Sequence, residues 1–218
     1  MPIDLYLTPG SAPCRIVLLT GAAVGVEFNQ RIVNLMTGDQ LKPEYLKLNP
    51  QHTVPTLVDE DGFSLWESRT IAKYLVNKYD TKDILYPKDI KTRALIDQRI
   101  DFEIGTLYPR FAQYYYTQLF AGAPADEGLL LKLHECLAML NTFLNNQIYL
   151  IGTNLTLADL ILVATVSSID YAGISLEKYH NINAWYKLVR ETATSYQEAN
   201  VKGLEEFNEL VKKIQSSK

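Results

Sequence analysis

The stretch Ile3-Asp4-Leu5-Tyr6-Leu7-Thr8-Pro9-Gly10-Ser11-Ala12-Pro13-Cys14-Arg15-Ile16-Val17-Leu18-Leu19 decides the fold. Apolar residues alternate over 3–7, the period of a half-buried strand. Thr8-Pro9-Gly10-Ser11 is a turn, and 12–24 is a helical run that Gly25 ends. A second strand is expected over 28–34, so the chain opens as a β-α-β unit. A polar loop with at most a short helix follows over 37–48. A strand over 54–58 interrupted by Pro55, a hairpin turn at 59–62, a strand over 63–66 and a helix over 67–79 complete the pattern. The parallel unit followed by a hairpin makes one small mixed sheet.

Strand signals then stop. Residues 80–90, with Pro87 and several charges, read as a linker. Helical patterns follow over 91–120, 126–145, 157–172, 182–192 and 201–214, separated by loops that hold Gly122, Pro124, Gly152 and Gly173. Strands first and helices later give an α/β lobe followed by an all-α lobe. Asn154-Leu155-Thr156 matches a glycosylation sequon, but Thr156 and Asp159 also form a Thr-x-x-Asp capping box with Leu155 and Leu160 at the staple positions. The cap is the expected role.

The 218 residues are 47% apolar and 21% charged, the balance of a globular chain. Lys and Arg number 21 against 25 Asp and Glu, a net charge of −4, so a nucleic-acid partner is not expected. The start Met1-Pro2-Ile3-Asp4 lacks a secretory pattern, and no apolar run approaches the ~20 residues of a membrane span, so a cytoplasmic location off the membrane is expected. Cys14 and Cys136 are too few for a disulfide framework. His52, His134 and His180 lack ligand spacing, and no metal is expected.

Three elements carry candidate chemistry. Ser11 stands where a strand turns into a helix, where unpaired N–H groups and the helix dipole favour a negative charge. Its hydroxyl either caps the helix or donates to a bound anion. With Ser11 in place of a first cysteine, Ser11-Ala12-Pro13-Cys14 cannot run a dithiol cycle; Cys14 is either a packed thiol or a nucleophile. In Gln51-His52-Thr53-Val54-Pro55, a cis Val54–Pro55 bond would turn the Val54 backbone outward to pair with an extended peptide; the alternative is an ordinary edge proline. His52 is either a donor to a ligand carboxylate or a surface histidine. Trp66-Glu67-Ser68-Arg69 ends a strand and starts a helix, which again offers N–H groups to a carboxylate. Arg69 could pair with Glu67 or with a ligand acid.

The order and spacing of these elements resemble the cytosolic glutathione S-transferases, in detail the insect delta class. The match is carried by Pro9-Gly10-Ser11-Ala12-Pro13-Cys14-Arg15, by Leu48-Asn49-Pro50-Gln51-His52-Thr53-Val54-Pro55-Thr56-Leu57 and by Leu65-Trp66-Glu67-Ser68-Arg69. In the helical lobe Gly105-Thr106-Leu107-Tyr108, Tyr114-Tyr115-Tyr116 and Leu155-Thr156-Leu157-Ala158-Asp159-Leu160 agree. The resemblance implies a thioredoxin-like glutathione-binding domain over 1–80, a linker over 81–90, and a helical domain over 91–218 carrying the hydrophobic-substrate site.

It further implies that Ser11 is the catalytic hydroxyl that stabilises the glutathione thiolate. His52 and Gln40 would serve the glycine end, and Val54 before a cis Pro55 would pair with the cysteinyl part. Glu67 and Ser68 would hold the γ-glutamyl group with Arg69 beside them. Glu103 falls where the class often has an aspartate supporting that end, and Gln40 where many relatives have a histidine. Tyr108, Ala112, Tyr116 and Phe120 recur every four residues, with Phe111, Tyr115 and Leu119 on the adjacent stripe. Such a stripe is either core or ligand wall. The resemblance makes Tyr108, Phe111, Ala112, Tyr115, Tyr116 and Phe120 the candidates for the hydrophobic-substrate site, and Pro109 is expected to kink their helix. Glutathione is the implied co-substrate with no bound cofactor, a homodimer is implied, and the activity is conjugation to apolar electrophiles in the detoxification of xenobiotics. Dehydrochlorinase or peroxidase side activities are compatible with the resemblance. A non-catalytic carrier of apolar ligands and an oxidoreductase using Cys14 are the alternatives.

Overall fold

The computed structural model describes residues 3–216. Met1 and Pro2, and so the start of the quoted Met1-Pro2-Ile3-Asp4, lie outside the described residues, as do positions 217 and 218 at the end of the expected helical domain. The chain divides into two compact units. One comprises residues up to Lys82 together with 194–207; the other comprises 83–193 and the chain from Asn208 on. Each is described by itself.

The first unit opens with β1 (Ile3–Leu7), α1 (Ala12–Val24) and β2 (Phe28–Ile32). Two 3-10 turns, Leu35–Thr37 and Asp39–Leu41, lead into α2 (Pro43–Leu48); β3 (Thr56–Val58), β4 (Ser64–Trp66) and α3 (Ser68–Tyr79) follow. The sheet order is β2-β1-β3-β4, with β2 parallel to β1 and the other pairs antiparallel. β3 starts two residues later than the 54–58 pattern predicts, because Pro55 has no N–H for the ladder. The alternation of β1 puts Ile3, Leu5 and Leu7 into one core with Val17, Leu57, Ile71 and Leu75. Burying each such side chain contributes about 1.5–3 kcal/mol. Gly25 ends α1 at φ 75°, its N–H closing on the Ala22 and Gly21 carbonyls.

A buried carboxylate fastens α3 to the hairpin. Asp59 accepts from Lys78 Nζ at 2.6 Å and from the Tyr74 hydroxyl. Burial is the largest single influence and pushes its carboxyl up, but Lys78, Tyr74 and the Glu60 N–H together hold it below the usual carboxylate range. A lowered folded-state pKa stabilises the fold above the unfolded value of ~3.9 and loses that contribution as pH falls through the folded value. Thermal melts below about pH 5 should therefore lose stability more steeply in the wild type than in Asp59→Asn, which has no carboxylate to titrate. Parallel acid limbs would remove Asp59 from the account.

Residues 194–207 were expected in the helical domain, yet they pack on α1. The π-helical turn Gln197–Val201 brings Asn200 onto the buried Arg15, whose Nη1 donates to Asn200 Oδ1. Gly203, in the first turn of α9 (Lys202–Ser216), lies so close to the β1–α1 turn that a Cβ there would stand 2.3 Å from the Pro9 carbonyl oxygen.

The second unit holds α4 (Ile90–Phe102), α5 (Tyr108–Ala121), α6 (Glu127–Phe143), α7 (Leu157–Tyr171) and α8 (His180–Thr192). α7 is apolar on every side and buried from Leu157 to Ile169, the mark of a central helix. Its expected cap forms: the Thr156 N–H and hydroxyl each donate to Asp159 Oδ2 at 2.8 Å. The helix expected over 91–120 is two helices. The π-helical turn Glu103–Leu107 divides them, with the Tyr108 N–H closing on the Glu103 carbonyl. Pro109 follows the π turn directly, in the first turn of α5, and Leu107 and Tyr108 before it keep right-handed helical dihedrals. Among the described residues no helix is long and apolar enough to cross a membrane.

Candidate active site

Strand directions gather three of the sequence elements. Tyr6 near the end of β1 pairs with Thr56 at the start of β3, and Thr56 pairs with Trp66 at the end of β4. The Thr8–Ser11 turn, the Val54-Pro55 approach and the Glu67-Ser68 step into α3 therefore leave the same end of the sheet.

Ser11 occupies the N-cap position of α1 with extended dihedrals, φ −68° and ψ 124°, but its side chain makes no capping bond. The hydroxyl therefore leaves the first-turn N–H groups without a side-chain cap, and it interacts instead with the Cys14 thiol. Cys14, one turn on, is wholly buried in the core. Burial pushes its thiol up to about 11, against smaller opposing contributions from the Thr8 N–H, the Ser11 hydroxyl and Arg15. A thiol held this high is packing, not a nucleophile.

The Val54–Pro55 peptide is cis. The loop before it is pinned by Asn49, wholly buried, whose Nδ2 donates to the Thr53 carbonyl at 3.0 Å and to Thr56 Oγ1 at 2.9 Å. The Tyr45 hydroxyl donates to the same Thr53 carbonyl at 2.6 Å. No hydrogen bond of the described residues uses the Val54 N–H or carbonyl. His52 is exposed at φ 50° on this loop.

Glu67 is the N-cap of α3 at φ 69° and ψ 101°, again without a side-chain cap. A side-chain-bearing residue at such a positive φ costs on the order of 1–3 kcal/mol and marks a functional constraint. Gln51 holds it: Gln51 Nε2 donates to Glu67 Oε1 at 3.1 Å while Gln51 Oε1 accepts from Trp66 Nε1 at 2.9 Å. Ser68, nearly buried, accepts from Arg69 Nη1 at 2.9 Å. The bridging role of Gln51 is one that sequence reasoning did not assign; its place beside His52 in the quoted motif was the only signal. Gln40 stands apart in the Asp39–Leu41 turn, its carbonyl oxygen buried without a hydrogen-bond partner.

This end of the sheet therefore combines two helix N-termini without side-chain caps, a hydroxyl that makes no capping bond, a carboxylate held at a fixed angle and a free strand-like backbone step. Anionic groups suit the helix starts, an ammonium suits Glu67, and a peptide backbone suits Val54. Among the described residues no group of three or more His, Cys, Asp or Glu could hold a metal ion.

In the second unit the aromatic stripe of α5 divides in two. Phe111 is 0% exposed and belongs to the core, so it backs the expected wall and cannot form it. Tyr115 stacks on it, centroids 5.4 Å apart and planes 12° apart. Tyr108, Ala112 and Tyr116 are half-buried and Phe120 is 51% exposed, with Tyr116 and Phe120 at 5.9 Å. Glu103 is wholly buried, and its Oε1 accepts from Thr165 Oγ1 at 2.5 Å.

Comparison with known proteins gives the family. Residues 1–77 match the glutathione S-transferase N-terminal domain and residues 109–194 the C-terminal domain. A delta-class glutathione transferase of Nilaparvata lugens is 49% identical, covering 98% of this chain and 100% of its own, at a TM-score of 0.95. A Bombyx mori glutathione transferase is 40% identical, covering 98% of both chains, at a TM-score of 0.92. A glutathione transferase homologue from Drosophila mojavensis, solved with bound glutathione, is 35% identical over 99% of this chain and 97% of its own, at a TM-score of 0.89. The chain belongs to the glutathione S-transferase family.

Proposed function

We propose that this glutathione S-transferase is a serine-type, delta-class enzyme in which Ser11 donates to the glutathione thiolate. The observation that carries the reading is the Ser11 hydroxyl, placed at the start of α1 yet making no capping bond. A free thiol titrates near ~8.5 and is mostly protonated at neutral pH. A hydroxyl donor and the positive end of α1 both favour the anion. Each unit by which they lower the bound thiol is worth ~1.4 kcal/mol.

In this reading the γ-glutamyl ammonium pairs with Glu67, its carboxylate meets Ser68 and the first N–H groups of α3, and Arg69 stands beside them. Val54 pairs with the cysteinyl backbone ahead of Pro55, while His52 and the amide of Gln40 donate at the glycine carboxylate. The thiolate then attacks an electrophilic carbon of an apolar molecule, forming the C–S bond as the leaving group departs. Tyr108, Ala112, Tyr116 and Phe120 supply the apolar seat, and the proximity of two bound reactants supplies further rate. Detoxification in the cytoplasm by a homodimer is the setting we propose. Sedimentation at the monomer mass of 24.7 kDa would count against the dimer.

The direct test is turnover of glutathione with a chloronitrobenzene by the purified protein. Conjugate formation supports the reading, whereas tight glutathione binding with no turnover of a panel of apolar electrophiles would contradict it. Removing the bridge beneath Glu67 gives a finer check. Gln51→Ala should raise the KM for glutathione roughly threefold to tenfold, the equivalent of ~1 kcal/mol for one hydrogen bond. The pH profile of kcat should stay unchanged, because Ser11 and the thiolate are untouched.

A further inference from the structure

The first unit carries a second feature that uses none of the residues assigned to glutathione. β2 is an edge strand, and its register fixes which backbone groups face outward. Ile3, Leu5 and Leu7 stand opposite Phe28, Gln30 and Ile32, and the Val33 N–H donates to the Leu7 carbonyl at 2.9 Å. In a parallel ladder, alternate residues of a strand turn both backbone groups to the same neighbour. Asn29, Arg31 and Val33 are therefore the ones turned to β1, and Phe28, Gln30 and Ile32 turn their N–H and C=O groups outward. No hydrogen bond among the described residues engages these outward groups.

Protein edges of this kind are usually blunted by charge, a bulge or a covering segment. Here the strand's one charged side chain is on the other face. Arg31 lies 3.5 Å from Asp4, and Asn29 donates to the same carboxylate at 2.6 Å. The face that carries Phe28, Gln30 and Ile32 borders an open groove of about 750 Å³. Its apolar lining comes from Leu18, Val26, Phe28, Ile32 and Ala199, with Ile32 62% exposed. Its charged lining is Glu27, Glu198, Glu206 and Lys202. Lys202 Nζ stands 3.7 Å from Glu198 Oε2, which leaves the other two carboxylates to set the sign of the groove.

We propose that this edge and groove dock an extended peptide segment of a partner protein, one that carries apolar and basic side chains on the same strand face. Its backbone adds as a fifth strand beside β2, pairing with the outward groups of Phe28, Gln30 and Ile32. Alternate residues of the added strand share one face, so the residues turned to the groove include both kinds: apolar side chains enter it and basic ones meet Glu27 and Glu206. Backbone pairing selects an extended peptide over a compact amine, and the acidic lining selects a basic segment over an acidic one.

The test uses the full-length protein and the capped peptide Val-Thr-Lys-Thr-Val-Thr-Lys, whose valines and lysines share one strand face, read by calorimetry or by chemical-shift changes. Two further probes are the counterpart with glutamate in place of lysine and the same basic peptide N-methylated at alternate amides, which cannot pair along a strand. The proposal expects the unmodified basic peptide to bind at least tenfold more tightly than either. Gln30→Pro removes one outward N–H without touching the ladder to β1, so it should weaken binding tenfold or more while glutathione turnover is unchanged. Glu206→Gln should weaken it severalfold. If Gln30→Pro does not fold, the N-methylated probe against the wild type decides the same question. Equal binding of the methylated and unmethylated peptides would overturn the proposal, since it would reduce the site to a charged surface. So would absence of binding at millimolar peptide, or self-association of the protein that Gln30→Pro abolishes, which would make a second copy the occupant.

Discussion

Ser11→Ala should lower kcat/KM for glutathione conjugation roughly tenfold to a hundredfold at neutral pH, the cost of removing one donor to a charged group. The deficit should narrow as pH rises past ~8.5, where free thiol ionises without help. Stability should hardly change. Replacing a capping serine by alanine costs a helix ~1 kcal/mol, but the Ser11 side chain makes no capping bond that could be lost. The two roles of this serine therefore give opposite patterns. A cap predicts lost stability with kept activity, and a thiolate donor predicts kept stability with lost activity. Cys14→Ala supplies the contrast. That thiol is wholly buried and raised to about 11, so its removal should alter core packing with no change in the pH profile. Abolished turnover in Cys14→Ala with intact turnover in Ser11→Ala would return the chemistry to the cysteine.

The largest effect on stability is expected at Asp159. This one carboxylate accepts from the Thr156 N–H, the Thr156 hydroxyl and the Leu150 N–H, each at 2.8 Å, and from Trp185 Nε1, also at 2.8 Å. It thus joins the start of α7, the preceding loop and α8 around a wholly buried side chain. Asp159→Ala leaves four donors without an acceptor, a loss on the order of 3–5 kcal/mol. At ~2–4 °C per kcal/mol for a chain of this size, the melting midpoint should fall by about 6–20 °C. Asp159→Asn keeps one carbonyl oxygen and should recover part of the loss. A midpoint within ~2 °C of the wild type for Asp159→Ala would show that the donors find other partners.

What the sequence disclosed was mostly local. The alternation of Ile3, Leu5 and Leu7, the Gly25 stop and the Thr156–Asp159 cap each depend on residues a few positions apart, and each forms as read. The cis Val54–Pro55 bond was one of two open readings and is the one observed. Tertiary features were not legible. Residues 194–207 read as part of a helical lobe because their own pattern is helical. Their place is set by Asn200 on Arg15 and Gly203 against Pro9, contacts more than 180 positions apart in the chain. The break at Glu103–Leu107 escaped notice because a π turn preserves the helical run of residue types while shifting the hydrogen bonds by one residue. Periodicity likewise put two adjacent stripes on α5 without telling which was core; burial assigns Phe111 to the core and leaves Tyr116 and Phe120 accessible. At the candidate site, sequence singled out Ser11, Val54 and Glu67, and the strands bring them to one end of the sheet. It could not say that the Ser11 hydroxyl makes no capping bond or that Gln51 fixes Glu67, because both are matters of side-chain geometry.

The central claim is that Ser11 stabilises a glutathione thiolate, and titrating the bound thiol by its ultraviolet thiolate absorbance tests it most directly. The account predicts a bound-thiol pKa at least ~1 unit below the free value of ~8.5 in the wild type, returning toward that value in Ser11→Ala. The same pKa in both proteins, or a wild-type value no lower than that of free glutathione, would contradict it.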